Sequence, residues 1–156
     1  MYGEDIRYHS LEPSTHSRLE EIQAAILRVK LQNLKDELKQ RQTMGLKYRG
    51  SINPANLIPD ILPQNITHGY HLFVVRSENR DRLKEKLEAE RIMSLIHYPQ
   101  PLHFQPAFQK IDHMTYSTRH FPVSENASRQ ILSLPFYPGL PVESQEKILE
   151  MVNKWI

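Results

Sequence analysis

The chain has 156 residues, 39% hydrophobic and 24% charged, the length and composition of one globular domain able to bury its own core. A net charge of +2, with Lys and Arg scattered among Glu and Asp, gives no basic face and argues against nucleic acid or an anionic membrane as a partner. Cysteine is absent, which excludes disulfides, thiolate chemistry and Cys-type zinc sites, and permits a reducing cytosol.

Residues 1–14 mix polar and aromatic side chains without periodicity and are expected to form an arm or loop that lies on another surface. The opening MYGEDIRYH lacks the apolar region of a signal peptide and no run approaches membrane-spanning length, so the expected location is cytoplasmic. From Ser17 the pattern is helical. Ser17 and Glu20 make a capping box that starts the helix near Arg18. Leu19, Ile22, Ala25, Ile26 and Val29 then recur at three- and four-residue steps, with Ala24, Leu27 and Leu31 on neighbouring faces, so the helix expects partners on most sides. Beyond Leu34 the stretch KDELKQRQTMGLKYRGS is nearly all polar; it is expected to be solvated, with Gly45 and Gly50 loosening its end. Pro54, Pro59 and Pro63 mark an extended connection.

YHLFVVR at 70–76 reads as a buried strand, and Asn79 caps a helix through Arg91 that turns Leu83 and Leu87 inward. MSLIHY at 93–98 is a second strand, completing a tightly packed strand–helix–strand unit. A Pro-rich loop follows over 99–120, with His97, His103, His113 and His120 in or beside it. Ser124–Gln130 forms a short helix, Ile131 opens a third strand, and EKILEMVNKWI is a closing amphipathic helix. The expected fold class is α/β (α+β): a long first helix, then a small three-stranded sheet packed with helices.

Few of these features carry chemistry by themselves. Eight histidines are present, but His68 and His71 point to different faces if both lie in a strand, and no HExxH pattern is visible. Phosphate-loop and GxSxG patterns are missing too. The start of the first helix remains, where free backbone N–H groups and the positive dipole end can hold an anion such as phosphate, with His16 and Ser17 beside it. The alternative there is that Ser17 only caps the helix and His16 is exposed.

The segment SRLEEIQAAILRVKL, residues 17–31, resembles one found in the DegT/DnrJ/EryC1/StrS sugar aminotransferases. The likeness continues in the family's order through YHLFVVR at 70–76, RDRL at 80–83, HYPQPLHFQPAF at 97–108 and LSLP at 132–135. The resemblance implies a type I, aspartate aminotransferase-like fold, a homodimer, pyridoxal phosphate as cofactor, glutamate as amino donor and a nucleotide-linked keto-deoxysugar as substrate. It also implies that residues 17–156 are the small carboxyl-terminal domain, and that the lysine forming the Schiff base belongs to a large domain preceding this region. In this reading the chain is inactive alone and completes a composite site with a separate large-domain chain; the alternative is a non-catalytic remnant that only dimerises. His16 stands where the family has an asparagine that reaches across the dimer to the cofactor phosphate, and Ser14 stands for a glycine two places earlier. Both depart from the family pattern, and the bulk of imidazole together with serine at a glycine position weakens phosphate binding there. Tyr98 and His103 match positions on the sugar-nucleotide side of the pocket, the alternative being that they only pack the Pro-rich loop. Arg76 is read as a structural or dimer residue.

Overall fold

A computed structural model describes residues 4–6, 9–10, 19–58, 65–105 and 120–156. The chain divides into two units, Met1–Asp36 and Glu37–Ile156.

In the first unit, β1 (Glu4–Ile6) pairs antiparallel with β2 (His9–Ser10), Glu4 opposite Ser10 and Ile6 opposite His9. The expected irregular arm therefore contains a short hairpin. The long helix, α1, runs from Glu21 to Ser51, and the Glu20 carbonyl accepts the Ala24 N–H at 2.9 Å. Leu19 and Glu20 precede the helix, so it begins after the expected start at Arg18, while Ser17 lies outside the described residues. Its apolar first half is open: Ile22 is 77% exposed, Val29 62% and Leu31 66%.

In the second unit α1 reverses the sequence expectation. Its polar second half is the buried part, with Met44, Gly45 and Tyr48 inside and Ile52 just beyond the helix. Met44, Tyr48 and Ile52 recur every four residues, a narrow stripe that a count of apolar residues passes over. Gly45 does not loosen the helix; it admits a ring. A Cβ on Gly45 would stand 2.7 Å from Tyr70 Cε2. One turn earlier, Arg41 donates to the carbonyls of Tyr70 at 3.0 Å and Phe136 at 3.4 Å. Tyr48 meets Phe73 edge-on at 5.1 Å and Phe136 at 5.6 Å, and burial pushes its phenol far above the ordinary range.

The sheet is small. β3 (Phe73–Arg76) pairs antiparallel with β4 (Ile131–Leu134), Phe73 opposite Leu134 and Arg76 opposite Ile131. Single bridges extend it on both sides, Leu57 to Val75 and Leu95 to Ser133. The expected second strand at 93–98 is thus one bridging residue laid beside β4. Ile92 and Ser94 are buried while Met93 and Leu95 face out, the alternation of an extended segment, but positive φ at Arg91 and Tyr98 confines it at both ends.

Helix α2 (Arg80–Ala89) buries Leu83 and Leu87 completely, as their spacing predicts. Asn79 does not cap it through its side chain; the Ser77 hydroxyl instead accepts the Asn79 N–H at 3.2 Å. The helix stops before Arg91 in a Schellman turn: Arg91, at φ 60°, donates to Glu88 at 2.9 Å and Ile92 to Leu87 at 2.8 Å. Helix α3 (Pro122–Gln130) opens on proline, and the Glu125 carboxylate reaches back to the Phe121 N–H at 2.8 Å. Gly139, at φ 84°, makes the turn into α4 (Val142–Trp155), which packs on α2 and buries Ile148, Leu149 and Val152. No described helix is long and apolar enough to cross a membrane.

Alanine normally stabilises a mid-helix glycine position by about 1 kcal/mol. Gly45→Ala is expected to do the opposite and lower stability by about 1–3 kcal/mol in urea unfolding, because the new methyl must displace the Tyr70 ring; a midpoint at or above the parent's refutes the close approach. The Phe121 N–H holds the Glu125 carboxyl below its usual range, with His103 adding to the effect. A carboxyl with a depressed folded pKa contributes stability that is complete above its unfolded value and lost as pH falls through the folded one. Thermal melts from neutral pH to about pH 3 should therefore show a smaller acid-side loss in Glu125→Gln than in the parent, and identical profiles would contradict this.

Candidate functional site

The loop that leaves the sheet at Leu95 carries the residues singled out in the sequence. Ser133 clips it in three places: the Ser133 N–H donates to the Leu95 carbonyl at 2.8 Å, the Leu95 N–H returns to the Ser133 carbonyl at 3.1 Å, and the hydroxyl lies 2.8 Å from His97 Nδ1. Immediately after this clip comes Tyr98, 81% exposed and at φ 60°. A non-glycine aromatic in the left-handed region is a strained outlier, held there only by what surrounds it.

His103 is placed differently. It sits in a 3-10 turn, Leu102–Phe104, and is 8% exposed, with its ring 4.1 Å from that of Phe104 and 4.8 Å from that of Phe121. Its Nε2 lies 3.3 Å from Glu125 Oε1, so it fastens the Pro-rich loop to the start of α3. His120 reaches the same oxygen from outside at 3.9 Å. His113, His16 and Ser17 lie outside the described residues, so the helix-start phosphate site is not among them. His68 Nδ1 accepts the Tyr70 N–H at 2.9 Å, a local turn contact. Arg76 donates twice to Gln130 Oε1, at 3.1 and 2.6 Å, tying β3 to the end of α3.

Beside the clip is a cleft of about 640 Å³ whose walls include Leu72, Ile92, His97, Ser133, Phe136 and Lys147. The sequence reading missed Ser133 and Lys147 here. A lone serine inside the apolar run ILSLP was the available signal, since a hydroxyl there needs a specific hydrogen-bond partner. Lys147 is not a free amine: it pairs with the Glu90 carboxylate at 2.9 Å and donates to the Glu90 carbonyl at 3.2 Å. Lys84, which lines a second cleft, lies 3.4 Å from Glu88. Both cleft lysines are thus engaged by carboxylates. Among them no cluster of His, Asp or Glu could hold a metal ion.

Three comparisons bear on this architecture. A dTDP-3-amino-3,6-dideoxy-alpha-D-galactopyranose transaminase of Aneurinibacillus thermoaerophilus is 36% identical over 155 residues, covering 99% of this chain and 41% of the relative. The crystal structure of a DegT DnrJ EryC1 StrS aminotransferase from Brucella abortus superposes with a TM-score of 0.83 at 35% identity, covering 98% of this chain and 40% of that one. DesV of S. venezuelae, solved in complex with a ketimine intermediate, gives 0.82 at 32% identity over 99% of this chain and 41% of its own. The chain thus spans about two-fifths of the relatives it matches. The profile of the DegT/DnrJ/EryC1/StrS aminotransferase family covers residues 2–153, and the chain belongs to that family.

Proposed function

We propose that these residues are the carboxyl-terminal part of a pyridoxal phosphate-dependent aminotransferase that aminates a nucleotide-linked keto-deoxysugar with glutamate as donor. The observation that carries this reading is the superposition of nearly the whole chain on two-fifths of a DegT DnrJ EryC1 StrS aminotransferase structure, with a TM-score of 0.83. The substrate class is taken from the dTDP-sugar transaminase that aligns over 99% of the chain. Pyridoxal phosphate, when bound, supplies the carbonyl that carries the amino group between donor and acceptor. The lysine that anchors it belongs, in this reading, to the large domain, and the cleft lysines described above are held by carboxylates.

What the chain's own residues contribute is binding and placement. Tyr98, open and conformationally fixed, contacts the sugar nucleotide, and His103 holds the loop that presents it by bonding to Glu125. His16 and Ser17 are kept as the residues facing the cofactor phosphate across a dimer. The exposed apolar residues from Leu19, just before α1, to Leu34 within it favour a second protein surface over them. They equally favour the second reading, a non-catalytic module that only dimerises.

One experiment separates the two. The chain mixed with the protein encoded immediately upstream should form a complex by light scattering and catalyse glutamate-dependent amination of a keto-sugar nucleotide, and the chain alone should not. A dimer of the chain alone with no complex and no turnover in the mixture supports the second reading; turnover by the chain alone overturns the composite site. In the same assay Tyr98→Gly should raise KM several-fold, while its unfolding free energy stays level or rises by up to about 1 kcal/mol as the strain is relieved. A Tyr98→Gly protein with unchanged kinetics removes Tyr98 from the site.

A further inference from the structure

Ser133 is 4% exposed in the middle of the sheet, with Val74 opposite on one side and Leu95 on the other. Its backbone N–H and carbonyl are both used by Leu95, and its hydroxyl makes one hydrogen bond among the described residues, to His97 Nδ1 at 2.8 Å. A neutral imidazole has one N–H donor and one bare nitrogen acceptor, and which is which depends on the bond the ring makes. Were Nδ1 to carry the proton and donate to Ser133 Oγ, the serine's own proton would be left without an acceptor among the described residues, an arrangement folded proteins avoid for a buried hydroxyl. With the serine donating to Nδ1, both atoms of the pair are satisfied. The ring proton then sits on Nε2, which has no hydrogen-bond partner among the described residues, on a half-buried ring that lines the cleft.

We propose that Ser133 is a positioning residue that locks His97 in the Nε2–H tautomer, making it a fixed hydrogen-bond donor toward the cleft. The ligand atom it suits is an acceptor oxygen, a sugar hydroxyl or carbonyl. Only this naming of the ligand rests on the aminotransferase reading. The bond also explains why a serine stands in an apolar strand: it holds the residue before Tyr98 by a side chain as well as by the backbone.

Isotope-edited NMR of the imidazole nitrogens in the 156-residue chain, at about pH 8 where a histidine is neutral, reads the tautomer directly. His97 should be Nε2–H in the parent and in Ser133→Thr, which keeps the hydroxyl, and should become a mixture in Ser133→Ala. The amide spectrum of each variant establishes that it is folded, and Ser133→Thr restores the bond if a purely structural loss is at issue. An Nδ1–H ring in the parent, or nitrogen shifts in folded Ser133→Ala equal to the parent's, overturns the proposal. Because the measurement uses neither cofactor nor sugar nucleotide, its failure is distinct from failure of the aminotransferase reading.

Discussion

Two four-residue strands hold the Glu37–Ile156 unit together, and a ladder that short does not stand by itself in water. Its stability comes from what covers it. Tyr48, Phe73 and Phe136 form a mutual aromatic contact, with Phe73 and Phe136 stacked at 5.5 Å, while Leu83, Leu87 and Val152 bring α2 and α4 to the same core. Removing water from these side chains supplies the driving force, and the close fit of Gly45 against Tyr70 lets α1 come near enough to take part. Arg41 then satisfies carbonyls that the short strands leave unpaired.

The same economy of strands shapes the loop at the candidate site. Leu95 pairs through a single residue, so its position depends on Ser133 alone rather than on a run of ladder bonds. Arg91, Tyr98 and Tyr70 all have positive φ, each beside a short pairing segment. Such conformations persist where the surroundings fix both flanks. For Tyr98 those flanks are the Ser133 clip before it and the His103–Glu125 contact after it, which together present an exposed aromatic ring on a held backbone.

Helix α1 separates helix formation from burial. Its first half has the richer apolar content and stays exposed, while its second half is mostly charged and supplies the buried stripe. Lys, Glu, Gln and Leu all favour helix, so the backbone runs unbroken through both.

The sequence by itself determined the element types. Leu83 and Leu87, the run ILSL, the strand core FVVR and the closing helix all follow from local periodicity, because each pattern reports one face of one element. The family resemblance likewise rested on residues in order along the chain. Tertiary structure decided what no local pattern encodes. It put the polar half of α1 inside through Met44, Gly45 and Tyr48, reduced MSLIHY to one bridge, and turned His103 away from solvent onto Glu125. Each of these depends on a contact between residues far apart in the chain, such as Tyr48 with Phe136 or His97 with Ser133, and burial is a property of that pairing rather than of either residue alone.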